Sequence, residues 1–216
     1  VIATTLLVLP LSLISARLEF PGKSLLTGLL LMPMVMPPFV GAVALQLIFG
    51  RSGSVNLLLA PWDIQLPLME GLWGVVFVES IHYFPFILMN LTVALRQIDG
   101  SLEEAAQNLG CRGWRLFRRV VFPLALPGFM AGASLVFVKV FDDLGTPLVM
   151  GQTNMLAPQA YLRITQVGLE DPLGYVISVL MIAFSVAAMA LSALALRGRD
   201  VPLLYSLLMF LALLHL

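Results

Sequence analysis

The sequence predicts an all-α fold, a polytopic bundle of transmembrane helices with a charged loop on its inner side. Of the 216 residues, 60% are hydrophobic and 11% are charged, whereas about 25% of the residues in a soluble domain are charged. The apolar residues form runs that approach the roughly 20 residues a helix needs to cross a bilayer. The formal net charge is zero, so bulk charge gives no reason to expect a nucleic-acid partner.

Six apolar runs are predicted to form helices, and the first and last of them are short. They cover residues 1–16, 25–49, 71–95, 124–141, 173–196 and 201–216. The first run lacks a basic region and a cleavage site, which favours the remainder of a span over a signal peptide. We therefore expect a longer natural protein. Residues 1–196 are assigned to a transmembrane domain, and residues 197–216 to a linker and the start of a further helix.

Basic residues predict the orientation of the bundle, because they stay on the cytoplasmic side. The opposite connections carry only Arg51 and Arg163, together with six acidic residues. Loop 96–122 is therefore predicted to be cytoplasmic. The alternate connections, which include this loop, carry nine basic residues: Arg17, Lys23, Arg96, Arg112, Arg115, Arg118, Arg119, Arg197 and Arg199.

Loop 96–122 is predicted to be a helix–turn–helix between two spans. Ser101 and Glu104 have the spacing of a capping box, which predicts the start of a short helix. Gly110 can take the left-handed conformation that ends a helix. A run of four arginines then leads into an apolar helix predicted to begin near Pro123, where the missing N–H costs little. We interpret the arginine run as a topology determinant that contacts lipid headgroups, in preference to the alternative that it recognises a specific partner.

The same loop resembles the permease subunits of binding-protein-dependent ABC importers. The resemblance rests on the spacing E-A-A, three residues, G, nine residues, I-x-L-P, in which valine and phenylalanine replace the usual isoleucine and leucine. It extends to residues 33–53 and to residues 141–151, which look like the iron(III) branch, and it covers most of residues 15–196. The matching residues are Glu104, Ala105, Ala106, Gly110, Val120, Phe122 and Pro123.

This resemblance implies a type I permease fold in a bacterial inner membrane, together with several partners. Glu104, Ala105, Ala106 and Gly110 would form a coupling helix that docks into a dimer of cytoplasmic ATPase subunits. Those subunits would bind ATP and Mg²⁺, and this chain would bind no cofactor. A periplasmic or lipoprotein binding protein would deliver the solute, for which ferric iron is expected. A second permease half, either fused, homodimeric or heterodimeric, would complete the translocation path.

Ionisable groups inside a membrane are costly, which makes them candidates for function. Glu79 and His82 are spaced to share one helix face, and with Asn90 they are expected to point into the bundle. A metal centre would need a second such pair, so we predict that these residues line the path or support the structure. At the outer end of the fourth span, we expect Lys139 to pair with Asp143 or to extend outward, and both Asp142 and Asp143 to lie at a solvated mouth or a gate.

Prolines and glycines predict where the spans bend and approach each other. Pro33, Pro37 and Pro38 interrupt the second run and free backbone carbonyls. The interruption is either a kink at a gate or a static bend. Gly128 and Gly132 have the GxxxG spacing that permits close helix approach, which favours a structural role.

The two outer connections also have predicted structure. Residues 50–70 have the composition of an interfacial segment, with Trp62 in it and Trp73 just beyond. In the second connection, Tyr161, Ile164 and Val167 recur at helical spacing, which predicts a short surface helix. This helix either contacts a delivering protein or packs over the bundle.

No feature of the sequence predicts an enzyme. His82 and His215 are the only histidines, and neither adjoins a nucleophile motif. The chain contains no P-loop for ATP. Its single cysteine, Cys111, excludes a disulfide within these 216 residues and a multi-cysteine metal site. On composition alone, the alternative is a secondary transporter or channel driven by an ion gradient, with Glu79, His82 and Asp142 as ion sites.

Overall fold

The computed structural model describes residues 1–167 and 172–195, and these residues form helices joined by short connections. The two outer-side connections and the loop between the central spans also contain short helices. The elements are α1 (Ile2–Arg17), α2 (Lys23–Leu31), α3 (Pro38–Phe49), α4 (Ser54–Leu59), α5 (Gly71–Arg96), α6 (Gly100–Asn108), α7 (Gly113–Leu116), α8 (Phe122–Asp142), α9 (Gly145–Val149), α10 (Leu156–Leu162) and α11 (Pro172–Ala195).

Four helical stretches in the described part of the chain are long and apolar enough to cross a membrane. They are Pro38–Trp62, Gly71–Arg96, Gly113–Asp142 and Pro172–Leu194. Two shorter apolar stretches, Ile2–Arg17 and Lys23–Val35, precede them. The predicted all-α membrane bundle is therefore confirmed. The predicted run at 201–216 lies outside the described residues.

The second predicted span, 25–49, is not a single helix. A 3₁₀ segment follows α2, and Met36 and Pro37 then take extended backbone, with ψ of 142° and 140°, before α3 begins at Pro38. The residue before a proline is disfavoured in the helical region, and two successive prolines extend that restriction over two residues. The predicted interruption is therefore confirmed, but it is a break between two helices rather than a bend within one.

The fourth predicted span begins earlier than expected. Helical backbone runs from Gly113 to Asp142 rather than starting near Pro123. A π-helical segment at Phe117–Val121 joins α7 to α8. Proline cannot donate the hydrogen bond of a regular helical turn, and a wider turn is one way for a helix to accommodate such a disruption. The arginine run is thus part of the helix itself.

The core forms where α1 and α8 pack on α5. Ile87, Leu91 and Leu95 of α5 are fully buried there, together with Val8 of α1 and Val136 of α8. Helix α5 therefore lies at the centre of the bundle, between α1 and α8.

α1 buries its small polar face and exposes its large apolar one. Thr4, Ser12 and Ser15 are buried, whereas Ile2 and Leu6 are exposed. Small side chains let membrane helices approach closely, and lipid is as apolar as leucine, so no hydrophobic force draws the leucines inward. This arrangement is the one expected for a helix with lipid on one side.

The GxxxG spacing in α8 marks the contact with α5. A Cβ atom at Gly128 would lie 2.4 Å from the Ala94 Cβ and 2.7 Å from the Asn90 carbonyl oxygen. A Cβ at Gly132 would lie 2.7 Å from the Ile87 Cα. The predicted structural role of both glycines is confirmed. On its other side α8 contacts α11, where the hydroxyl groups of Ser134 and Ser192 are hydrogen-bonded at 2.5 Å.

Gly132→Ala should destabilise the bundle by about 1–3 kcal/mol, because the added methyl group meets the α5 backbone. Gly28→Ala is the matched control, since a Cβ at Gly28 in α2 would have no neighbour within 4 Å. Thermal denaturation of the purified protein in detergent should show a lower midpoint for Gly132→Ala alone. Equal midpoints for the two variants would contradict the close packing of α8 on α5.

Candidate coupling surface and intramembrane polar groups

Helix α6 begins at an aspartate cap rather than at the predicted capping box. Asp99 is the N-cap, and its Oδ1 accepts a hydrogen bond of 2.9 Å from the Ser101 N–H. The same hydrogen bond lowers the pKa of Asp99 below its ordinary value. The expected cap at Ser101 is therefore wrong by two residues. A carboxylate at the N-cap also favours the positive end of the helix dipole, which explains why the helix starts at Gly100.

Helix α6 ends in a Schellman motif at Gly110. The Gly110 backbone has a φ of 83°, which is left-handed. Its N–H donates to the Gln107 carbonyl at 2.9 Å, and the Cys111 N–H donates to the Ala106 carbonyl at 3.0 Å. These two bonds define the motif. The predicted left-handed turn at Gly110 is confirmed.

The two alanines of the E-A-A sequence, Ala105 and Ala106, face in different directions. Ala106 packs against the core cluster, and Ala105 is exposed beside the exposed Glu104. Leu102 and Leu109 lie on the exposed side with Ala105, and 88% of the Leu109 surface is accessible. Residues at i, i+3 and i+7 share one helix face, so this side of α6 presents an apolar ridge, Leu102–Ala105–Leu109.

Trp114 continues the exposed apolar surface beyond the turn. Its side chain is 70% exposed and stacks on Phe117, with ring centroids 5.1 Å apart. None of Leu102, Leu109 and Trp114 was predicted from the sequence as a site residue. Their signal was the presence of large apolar residues at helical spacing in an otherwise polar loop.

Two contacts bring the predicted cytoplasmic connections together. Arg17, at the end of α1, forms an ion pair with Glu103 of α6. Arg96, at the end of α5, donates a 2.9 Å hydrogen bond to the Ser15 carbonyl. The first two of the predicted cytoplasmic connections, after α1 and after α5, therefore lie at the same end of the bundle, as the charge bias predicted, and the third lies outside the described residues.

Glu79 and His82 are buried in α5, at 7% and 6% exposure. The His82 ring packs edge-on against Tyr83, with centroids 4.9 Å apart. A Cβ added at Gly41 of α3 would lie 3.3 Å from the His82 Nδ1, so α3 passes close to this histidine just after the chain break. The expectation that these groups point into the bundle is confirmed. Their role in transport stays a prediction.

Asn90 also turns inward, and its contacts indicate packing. Its side-chain amide donates to the Phe86 carbonyl at 2.8 Å within α5. Its Cβ and carbonyl oxygen lie against the two glycines of α8. Asn90 is therefore part of the helix–helix contact.

Asp143 does not pair with Lys139. It follows the end of α8 with a ψ of 115°, and its Oδ1 accepts from the Gly145 N–H at 2.9 Å. Its Oδ2 accepts from the Thr146 hydroxyl at 2.6 Å. The extended backbone turns the carboxylate toward α9 rather than back along α8, so Asp143 caps the next helix. Asp142 is exposed beside it. In the described ranges, no cluster of three or more histidine, cysteine or acidic side chains could hold a metal ion.

The helical bundle and its exposed loop define a multi-pass membrane protein. Residues 8–201 match the family of binding-protein-dependent transport system inner membrane components. The chain belongs to this family, and it is therefore an ABC importer permease of the inner membrane.

Two kinds of relative support this assignment. The molybdenum transport system permease ModB of Haemophilus influenzae is 34% identical over 161 residues, 72% of this chain and 70% of the relative. ModB of Escherichia coli K12 is 31% identical over 72% of this chain and 69% of the relative. The putative 2-aminoethylphosphonate permease PhnU of Salmonella typhimurium is 33% identical over 71% of this chain and 56% of the relative.

The fold is also found in a solved structure. A bacterial ABC transporter that imports the acidic polysaccharide alginate superposes with a TM-score of 0.64, at 16% identity, over 89% of this chain and 76% of that one. This similarity concerns the fold alone. The molybdenum and phosphonate relatives do not support the expected iron(III) branch.

Asp99→Ala should speed amide hydrogen exchange in α6 about fivefold, because a lost N-cap leaves the first turn unsatisfied. Asp99→Asn keeps an acceptor and should exchange nearly as slowly as the wild type. Ser101→Ala is the control that separates the two cap assignments. Mass spectrometry of deuterium uptake in peptides from 97–111 makes the measurement, and faster exchange in Ser101→Ala than in Asp99→Ala would restore the capping box.

Proposed function

We propose that this chain is the permease subunit of an ATP-driven importer for a small oxyanion of the molybdate or phosphonate class. The observation that carries the proposal is α6, an exposed helix with defined ends and an apolar ridge on the positively charged side of the bundle. An apolar helix face on a soluble surface calls for a partner.

The proposed partner of α6 is a cytoplasmic ATPase subunit. The ridge Leu102–Ala105–Leu109 suits insertion into a groove, as in other helix-in-groove contacts. Glu104 lies at its edge as a charged contact. ATP and Mg²⁺ would bind to the ATPase, since the chain has no phosphate-binding loop of its own.

Movement of the ATPase would reach the membrane helices through the two ends of α6. Three residues separate α5 from α6, and four separate α6 from α7. Short connections transmit displacement as rigid-body motion. The left-handed Gly110 fixes the angle at which α7 and α8 leave the coupling helix.

An oxyanion is favoured as the solute because relatives at 31–34% identity carry molybdenum or phosphonate names. Molybdate is a tetrahedral oxyanion, and 2-aminoethylphosphonate carries a tetrahedral phosphonate group, a shared chemistry that one path could accept. Glu79, His82, Lys139 and Asp142 are proposed to border that path, since they lie in or at the end of the central spans.

The segment of residues 50–70 offers an ordered surface for a periplasmic binding protein. Asn56 is buried there, and its amide donates to the Gly50 and Leu66 carbonyls at 2.9 and 3.1 Å. Arg51 bonds Glu70 at 2.5 Å, and this hydrogen bond lowers the pKa of Glu70. A preorganised surface favours binding because less ordering is needed. A second permease half, fused or separate, would complete the path.

Gly110→Pro should reduce ATP-driven uptake by at least about tenfold, because proline cannot take a φ of 83° and lacks the N–H that bonds Gln107. Glu104→Lys, which reverses the charge at the edge of the ridge, should also uncouple ATP hydrolysis from uptake. Gly100→Pro is the matched control, because residue 100 is the first of α6, where proline is tolerated. Uptake and ATP hydrolysis are measured in proteoliposomes with the ATPase and the binding protein. Normal uptake by Gly110→Pro would exclude α6 as the coupling element.

The cognate binding protein should be stabilised by an oxyanion. Ligand at 100 times its dissociation constant stabilises a protein by about 2.7 kcal/mol, which a thermal-shift assay detects. The assay compares molybdate, 2-aminoethylphosphonate and ferric iron at equal concentration. Stabilisation by ferric iron alone would overturn the oxyanion assignment and leave the importer assignment intact.

A further inference from the structure

We propose that Arg17 and Glu103 form a positioning pair that makes α1 follow the coupling helix during the transport cycle. This inference rests on the proposed function, since it assigns a mechanical partner to α6. The pair joins residues 86 positions apart in the chain, so it connects two elements that the sequence does not place together.

The contacts of α6 show why the pair matters. Glu103 and Ala106 are the partly buried residues of this helix, and its other side chains are exposed. Ala106 contributes a small apolar contact with the core cluster. Within residues 1–167 and 172–195, the ion pair to Arg17 is the polar side-chain contact that ties α6 to another helix. A displacement of α6 therefore acts directly on the end of α1.

The end of α1 is also held from the side of α5. Arg96 donates to the Ser15 carbonyl at 2.9 Å, two residues before Arg17. The buried face of α1, which includes Thr4 and Ser12, lies along α5. Arg17 and Arg96 thus connect α6, α1 and α5 at one point on the inner side. Through this junction, movement of α6 reaches α1, which is not its neighbour in sequence.

Packing does not replace the ion pair at this junction. A cleft of about 370 Å³ opens beside it, lined by Leu13, Trp114 and Phe117 as well as by the paired residues. Glu103 is the one residue of α6 that lines this cleft, so the ion pair is the contact that α6 makes with α1 beside it. The Arg17 and Glu103 side chains are 36% and 17% exposed, and partly exposed pairs contribute little to folding stability. Loss of the pair should therefore change coupling rather than folding.

Charge reversal tests this proposal. Arg17→Glu and Glu103→Arg should each lower the amount of molybdate taken up per ATP hydrolysed by about fivefold, a typical coupling effect between two sites. The double exchange Arg17→Glu/Glu103→Arg should restore the ratio to within about twofold of the wild type. The matched control is the ion pair of Lys23 with Glu19, whose charged atoms lie 2.6 Å apart in the connection between α1 and α2. These two residues are only four positions apart in sequence, so reversal of their charges should leave the ratio unchanged. Thermal midpoints in detergent should be equal for all variants.

A distance measurement keeps the test independent of the solute. Spin labels at Leu18→Cys and Gln107→Cys, in a Cys111→Ser background, report the separation of α1 and α6 in the complex with its ATPase. The separation should stay constant to within about 2 Å when ATP is trapped, and it should change by more than that in the Arg17→Glu variant, since interface shifts of this size accompany switching. A changed separation in the protein with the intact pair would overturn the proposal, as would a double exchange that fails to restore coupling. Absence of molybdate uptake by the wild type, with the separation still constant, would contradict the proposed solute and not the pair.

Discussion

The close approach of α1 and α8 to α5 is the constraint on which the rest of the structure depends. In a bilayer the hydrophobic effect does not draw helices together, so contact must come from van der Waals packing and interhelical hydrogen bonds. Gly128 and Gly132 bring the α8 backbone onto α5, and the hydroxyl residues of α1 do the same from the other side. Helix α6 is connected to α5 at one end and, through α7, to α8 at the other. The packing of these two helices therefore fixes where the coupling helix can lie.

The helical structure of α6 depends on the hydrogen bonds at its two ends more than on its packing against other helices. Its first turn is satisfied by the Asp99 carboxylate, and its last carbonyls by the Gly110 turn. Because most of its surface is exposed, the helix can present an apolar ridge to a partner while it stays defined in structure. Where it contacts its own chain, it does so through a small alanine and one charged pair, which is compatible with movement.

Several features could be predicted from the sequence because they depend on local composition. The apolar runs give the spans, the charge bias gives the orientation, and Gly110 gives the end of α6.

The cap was misplaced because Asp99 and Ser101 are both competent N-caps, and the spacing to Glu104 favoured the wrong one. The proline-rich segment predicted an interruption but not that Met36 and Pro37 would become extended. Arg17 and Glu103 could not be matched, since nothing local relates residues so far apart. The solute could not be predicted either, because relatives named for different solutes match this chain at similar identity.

The break at Met36 and Pro37 has a further consequence for how α3 relates to the bilayer. Backbone that is not helical cannot face lipid, because its polar groups would lack hydrogen-bond partners. Met36 and Pro37 are exposed on the surface of this chain, so we expect them to face water or a second protein rather than lipid. His82 lies close to Gly41, one helical turn beyond this point. The buried His82 imidazole therefore lies beside the helix that begins at this break.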